Sequence, residues 1–165
     1  MKIIYFDKID STNNYLKNNY KNIEHNTIIK ANYQTNGRGQ FDRFWFSNEN
    51  ENLLFSILLK DVKLSDSNYF KNKVTKALIN LLSKYNIKGV FKEPNDILVN
   101  GNKILGILIE TKTTNNQTFD YYIIGIGINI NQDFFLNLEA TSFKILNNEV
   151  YNINEVLYEF INIFK

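Results

Sequence analysis

Between Ile97 and Ile130 three strand-like runs follow one another with only short polar breaks, which leaves the chain little option but an antiparallel meander. Asn100-Gly101 is the sharpest break, because a two-residue hairpin turn needs positive φ at both positions and Asn-Gly tolerates it. It joins Ile97–Val99 to Lys103–Lys112, and the polar turn Thr113–Gln117 joins that run to Phe119–Ile130. Upstream, Lys2–Phe6, Thr27–Tyr33, Leu53–Leu59 and Val90–Lys92 also read as strands. Ser11 or Thr12 can cap a short helix reaching about Asn19, since a hydroxyl accepts from open backbone N–H groups. From Asp66 to about Tyr85, residues Phe70, Val74, Ala77, Leu78, Leu81 and Leu82 share one helical face. Gly89 suits the turn after it, and Asn154–Phe164 reads as a final amphipathic helix. Gln34–Asn52 shows no periodicity and is expected to be a long loop, often a functional feature in a compact domain. The order of elements predicts an α+β fold with a mixed or antiparallel sheet, in one domain over residues 1–165 without repeat or linker.

A chain of 165 residues, 44% hydrophobic and 15% aromatic, can bury a core, so wholesale disorder is excluded. Most Tyr and Phe residues are expected in that core. A net charge of +2 without a basic tail gives little hold on nucleic acid. There is no cysteine, so no disulfide or thiolate metal site is expected. His25 is the only histidine and has no Ser, Cys or metal-ligand pattern around it; it is expected at the surface, away from any hydrolytic triad or zinc site. No run of about 18 apolar residues occurs, and Met1–Asp10 carries no signal-peptide core, so a soluble cytoplasmic protein is expected.

Asn, Ile and Lys are abundant at 28, 22 and 17 residues, a skew of the kind AT-rich coding would produce, so the scarce residue types carry more information. Six of the seven glycines, both arginines, the lone proline and the lone tryptophan fall in three short segments. The first is Gln34-Thr35-Asn36-Gly37-Arg38-Gly39-Gln40-Phe41-Asp42-Arg43-Phe44-Trp45. Its glycines let backbone N–H groups approach an anion, and Arg38 and Arg43 offer planar forks for phosphate or carboxylate. Trp45 can stack on a flat ring. The plain alternative is a flexible surface loop. The second segment is Lys92-Glu93-Pro94-Asn95-Asp96 with Gly101-Asn102-Lys103-Ile104-Leu105-Gly106. Pro94 stiffens a turn that aims Asn95 and Asp96, and Asp96 and Lys103 lie on opposite arms of the hairpin, where they can approach. The plain alternative is an ordinary hairpin. The third, Gly125-Ile126-Gly127-Ile128-Asn129-Ile130-Asn131, is a strand with one bare face and lacks the third glycine of a dinucleotide fingerprint. Strand packing is the more ordinary explanation, and a ligand contact from Asn129 is the alternative.

Taken in order, Ser11-Thr12-Asn13, the Gly-Arg-Gly loop with Trp45, the Pro94-Asn95-Asp96 turn, the Gly-x-Lys-x-x-Gly strand and the Gly-Ile-Gly-Ile-Asn strand resemble the catalytic domain of biotin–protein ligases, from Asp10 to about Phe143. The resemblance implies a mixed β-sheet with helices packed on one face, the class II synthetase-like fold of biotin and lipoate ligases. It implies biotin and MgATP as substrates, with biotinyl-adenylate then passed to a lysine of a biotin carboxyl carrier domain, such as that of acetyl-CoA or pyruvate carboxylase. It places Lys103 and Arg38 as the groups that bridge carboxylate and phosphate, with Asp96 as a carboxylate for Mg2+ or for orienting the acceptor lysine. Ser11, Thr12, Asn13, Gln34, Gly37, Gly39 and Gly106 would surround biotin. Gly39, Gln40, Arg43, Trp45, Asn95 and Asn129 would serve the nucleotide, with Trp45 near adenine once the loop orders.

Three positions depart from the family pattern: Gln40 stands where an arginine is usual, Asp42 where a glycine is, and Glu93 where a tryptophan precedes Pro-Asn-Asp. The loop changes predict weaker retention of the adenylate, and Glu93 unsettles local packing or the nucleotide side. The chain stops at Lys165, where the family commonly continues into a small β-rich domain, and has no room for a DNA-binding helix-turn-helix, so no DNA role is expected. The expected protein is a minimal biotin–protein ligase, monomer or homodimer, with no nucleic-acid or membrane partner. The competing readings are a lipoate or octanoate transfer enzyme of the related fold, which would want a different loop and a hydrophobic tunnel, and a degenerate binder of biotin or its adenylate.

Overall fold

Seven strands join into one sheet in the order β1-β2-β3-β7-β6-β5-β4, in a computed structural model that describes residues 1–136 and 139–165. They are β1 (Lys2–Ile9), β2 (Thr27–Gln34), β3 (Asn52–Leu59), β4 (Val90–Lys92), β5 (Asp96–Val99), β6 (Asn102–Lys112) and β7 (Tyr121–Asn129). Only β1 and β2 run parallel; the other neighbours are antiparallel, so the sheet is mixed. The meander β5-β6-β7 stands where the turns predict it, and Asn100 and Gly101 take φ of 51° and 83° at its first corner. β1 runs three residues past Phe6 because Lys8 and Ile9 find partners in Tyr33 and Gln34.

The helices are α1 (Thr12–Asn19), α2 (Ser67–Lys84), α3 (Phe143–Asn147) and α4 (Ile153–Phe164). α3 escapes a reading by periodicity because it is only five residues long; Ser142 caps it, accepting from the Ile145 N–H. Alternation along the strands sorts the apolar residues onto two faces. Phe55 and Ile57 of β3 and Tyr122, Ile124, Ile126 and Ile128 of β7 meet Val74, Leu78 and Leu81 of α2 and Leu157, Phe160 and Phe164 of α4 in the main core. Each such buried side chain contributes about 1.5–3 kcal/mol. The two long helices thus share one face, as expected. The short α1 lies on the other, where Leu16 packs with Ile29, Leu58, Tyr121 and Ile123 in a second, smaller cluster. Gly89 is explained by crowding: a Cβ there would stand 2.5 Å from Leu82 and 2.8 Å from Ile97.

Beyond α1, this second face carries small or polar groups. Strand pairing aligns Ser56 with Gly125, Leu54 with Gly127, and Gly127 with Gly106, and places Asn52 beside Asn129. This stretch of sheet is the floor of the site.

Candidate functional site

A cavity of about 510 Å³ lies over that floor, walled by the start of α1, the loop after β2 and the β4–β5 turn. Its size suits a drug-sized ligand. The bare stripe Gly106, Gly125 and Gly127 is what opens it. A Cβ at Gly127 would fall 2.6 Å from the Trp45 ring, one at Gly106 2.9 Å from it, and one at Gly125 2.3 Å from Asn13 Oδ1.

One end of the cavity is polar and closed. Ser11 caps α1 by accepting from the Asn14 N–H at 3.4 Å. The Thr12 N–H donates to Gln34 Oε1 at 2.7 Å, and Thr12 Oγ1 lies 2.6 Å from Ser56 Oγ. Ser56 donates to Asn13 Oδ1 at 2.5 Å, and Asn13 Nδ2 donates to Glu110 Oε2 at 2.8 Å. Ser56 and Glu110 are the residues that the sequence reading missed. Ser56 is hidden inside the apolar run Leu53–Leu59, and Glu110 lies at the end of a strand among ordinary surface charges. The period-2 alternation of β3 and β6 could have placed both on the glycine face. Burial pushes the Glu110 carboxyl up, but the hydrogen bonds from Asn13 and Lys17 and the charges of Lys17 and Arg38 more than offset this and hold it below the usual carboxylate range.

The other end is cationic. The expected approach of Asp96 and Lys103 across the hairpin is present, at 2.8 Å. A register shift between Ile97 and Leu98 makes it possible, setting Asp96 opposite Gly106 and Leu98 opposite Lys103. The Lys103 backbone is held separately: its N–H donates to the Glu139 carbonyl and its carbonyl accepts from the Thr141 N–H, both at 2.9 Å. Arg38 also lines the cavity, but from the side of α1: it donates to Asn14 Oδ1 at 3.1 Å and stands 3.8 Å from Glu110.

The loop is more ordered than its sequence suggests. Gly39 N–H donates to the Arg43 carbonyl at 2.7 Å, Arg43 N–H to the Gln40 carbonyl at 3.2 Å, and Trp45 N–H to the Gly37 carbonyl at 2.9 Å. Gly39 N–H is therefore already spent, and an anion could take it only by opening the loop. Trp45 lies against Gly106 and Gly127, with Lys103 Nζ 5.2 Å from the centre of its ring, a cation–π arrangement. Its Nε1–H is buried and has no acceptor among the described residues. Most Phe and Tyr residues are expected in the core; Phe41 and Phe44 of the loop instead line the cavity, 86% and 57% exposed.

Ser11, Thr12, Asn13, Gln34, Arg38, Gly39, Gln40, Arg43 and Trp45 all line this cavity. So do Asn95, Asp96, Lys103, Gly106 and Asn129, so the three segments converge on one place. Gly37 does not line it and acts through its carbonyl bond to Trp45. Asn129 is 3% exposed, and its amide hydrogens go to the Thr141 and Lys103 carbonyls at 3.0 and 3.4 Å, so it braces the backbone around Lys103. Glu93 reaches out to Lys71 of α2 at 2.9 Å, so the departure there is accommodated by an exposed ion pair, worth about 0–1 kcal/mol. The Asp42 side chain, the other departure in the loop beside Gln40, lies outside the described residues. His25 is exposed and accepts from the Lys60 N–H. Among the described residues no three His, Cys, Asp or Glu side chains cluster as a metal site, and no helix is long and apolar enough to cross a membrane.

A mixed sheet with a glycine-floored pocket, polar at one end and cationic at the other, defines an α+β ligand-binding domain. The chain belongs to the biotin/lipoate A/B protein ligase family, whose model matches residues 5–129. It is 36% identical over 135 residues to the bifunctional ligase/repressor BirA of Bacillus spizizenii, covering 79% of this chain and 41% of that protein. Against BirA of Escherichia coli K12 the identity is 31% over 124 residues, covering 74% and 38%. The chain thus spans about two fifths of the length of the curated relatives it matches. The structure of biotin protein ligase from Aquifex aeolicus in complex with biotin and ATP superposes with a TM-score of 0.80 at 29% identity, covering 99% of this chain and 68% of that one.

Proposed function

We propose that this chain is a biotin–protein ligase that activates biotin with ATP and passes it to a lysine of a biotin carboxyl carrier domain. The observation that carries it is the cavity itself: Lys103 and Arg38 line one pocket with a bare glycine floor and a closed polar end. A bicyclic head group with a flexible acid tail fits such a pocket, with the head at the Ser11–Thr12–Gln34 end and the carboxylate toward Lys103. In the first step a biotin carboxylate oxygen attacks the α-phosphorus of ATP, and the bond to pyrophosphate breaks. Two anions must meet, so the ammonium of Lys103 and the guanidinium of Arg38 stabilise the charge that accumulates between them. In the second step the acceptor amine attacks the acyl carbon and AMP leaves, with Asp96 placed to orient that amine.

Mg2+ would be brought with the triphosphate: Asp96, beside Lys103 in the cavity wall, would supply one carboxylate, and Mg2+ is commonly held by one or two carboxylates plus substrate phosphates. The matching loop, turn and strands favour biotin over lipoate. The relatives named as ligases support an enzyme over a passive binder. A cytoplasmic location fits a carrier-modifying reaction that consumes ATP.

The test is incubation with biotin, MgATP and a biotin-carrier domain, read by mass spectrometry. A single ATP-dependent biotin adduct on one lysine is expected. No adduct from folded protein, or preferential labelling with lipoate in a parallel reaction, overturns the proposal. The loop departure gives a second measurement. Gln40→Arg should slow escape of the adenylate on the order of tenfold, since a charge-assisted contact contributes about 1.5–3 kcal/mol. Equal escape rates from the variant and the parent would mean that Gln40 does not limit retention.

A further inference from the structure

A chain of side-chain hydrogen bonds runs from Glu110 on β6 to Gln34 at the end of β2, and its protons can be assigned one by one. A carboxylate only accepts. Glu110 Oε2 therefore takes a hydrogen from Asn13 Nδ2 at 2.8 Å, while the Leu108 carbonyl faces the same amide nitrogen at 3.4 Å. With its nitrogen so committed, Asn13 turns Oδ1 to Ser56, whose Oγ lies 2.5 Å away and must give its only hydrogen. Ser56 has none left for Thr12, so the 2.6 Å contact between the two hydroxyls carries the Thr12 proton, which Gln34 Oε1 also faces at 3.0 Å. Gln34 meets Thr12 with Oε1, held by the Thr12 backbone N–H at 2.7 Å, and its Nε2 lies on the side of Gly37. Thr12 is left with lone pairs to offer a ligand, and Gln34 with amide hydrogens. Ser11 uses its oxygen on the Asn14 N–H and keeps its own hydrogen to donate.

Thr12, Asn13 and Ser56 are 4%, 3% and 0% exposed, so bulk water cannot repair a reversed bond within the chain. We infer that Glu110 is a positioning residue that sets the donor and acceptor pattern at the polar end of the cavity, and so its preference for a cyclic urea. The ligand half of this inference rests on the biotin-ligase reading above: a urea ring presents N–H donors and a C=O acceptor on one edge, the complement of lone pairs from Thr12 beside hydrogens from Ser11 and Gln34. The charged groups facing Glu110 are Lys17 of α1 and Arg38 of the loop, 2.9 and 3.8 Å from Oε1; from β7, Ile123 and Gly125 add no charge. In Glu110→Gln those two cations claim the amide oxygen and leave the NH2 facing Asn13. Asn13 must then rotate, Ser56 is freed to donate to Thr12, the Thr12 proton passes to Gln34 Oε1 at 3.0 Å, and Thr12 keeps one lone pair fewer for a ligand.

The experiment compares the parent, Glu110→Gln, Ser56→Ala and the double variant by biotin-dependent ATP–pyrophosphate exchange and by side-chain amide NMR without ligand. Glu110→Gln should raise the KM for biotin about tenfold with kcat within about threefold; Ser56→Ala, which leaves Thr12 its lone pairs, should raise it less, and adding Glu110→Gln to Ser56→Ala should raise it no further, because the change reaches Thr12 only through Ser56. The Gln34 amide resonances should shift in both single variants. A Glu110→Gln effect that persists in the Ser56→Ala background, an unchanged biotin KM in Glu110→Gln, or a fall in kcat alone would overturn the inference. If the parent shows no biotin dependence, the ligase reading fails separately. The NMR then decides for Glu110: a shifted Gln34 amide keeps the coupled chain, and an unmoved one removes it.

Discussion

Lys103→Ala should reduce biotin-dependent ATP–pyrophosphate exchange by about 10²–10³-fold or more, the loss typical of removing one charge-stabilising donor. The reason is local. In the proposed reaction two anions meet where Lys103 Nζ stands, 2.8 Å from Asp96 and over the bare stretch of β6 and β7. Of the two cations assigned to the reacting groups, Arg38 would then remain. The fold should survive, because the backbone of Lys103 makes the contacts that matter there: its N–H to Glu139, and its carbonyl to Thr141 and Asn129. Its side chain is 33% exposed and Asp96 27%, so the orphaned carboxylate can be hydrated and the lost ion pair costs little. Exchange assay and thermal melt on the same preparation check this. Activity within tenfold of the parent would mean that another group carries the charge.

Gly125→Ala should harm both stability and ligand binding. The added Cβ would lie 2.3 Å from Asn13 Oδ1 and 2.9 Å from its Cγ, and Asn13 cannot simply step aside. It is buried and held by Ser56 at 2.5 Å and Glu110 at 2.8 Å. If it moves, a buried hydroxyl and a half-buried carboxylate lose their partner; if it stays, α1 is pushed off the sheet. Either route costs about 2–4 kcal/mol, from overpacking and unsatisfied polar groups. In a chain of this size that is a Tm lower by roughly 5–15 °C. Affinity for biotin should fall at least about tenfold, since each 1.4 kcal/mol is a factor of ten. Calorimetry and a biotin titration test the two effects. A melt unchanged within about 1 °C, less than half the shift expected of 1 kcal/mol, would show that Asn13 is not held as described.

The two glycine-bearing segments show where a one-dimensional reading stops. Gly125 and Gly127 alternate with isoleucines, so a strand with one bare face was evident, as was the hairpin at Asn100-Gly101. Which face was bare, and toward what, was not. That depended on β7 being central, with β3 on one side and β6 on the other, so that Gly106 from a different segment completed the floor. The approach of Asp96 to Lys103 was foreseen from the hairpin, but its geometry came from a bulge between Ile97 and Leu98 that no residue pattern announced. Alternation can put Glu110 and Ser56 on the glycine face, but what they meet there is not legible, for a related reason. A polar residue is marked as special by what surrounds it, and their partners Asn13 and Thr12 are 97 and 44 positions away.

Local chemistry was enough for the elements: periodicity placed the strands and the long helices, turn residues placed the hairpin, and scarce residue types marked the three segments that matter. Those are short-range effects, set by neighbours along the chain. Long-range pairing alone could put α1 on the face opposite α2 and α4, tie Asn129 to the backbone of Lys103, lay Trp45 over two glycines and line up Gln34, Thr12, Ser56, Asn13 and Glu110. Contacts between distant residues form only when the whole sheet closes, and the pocket exists only as a product of that closure.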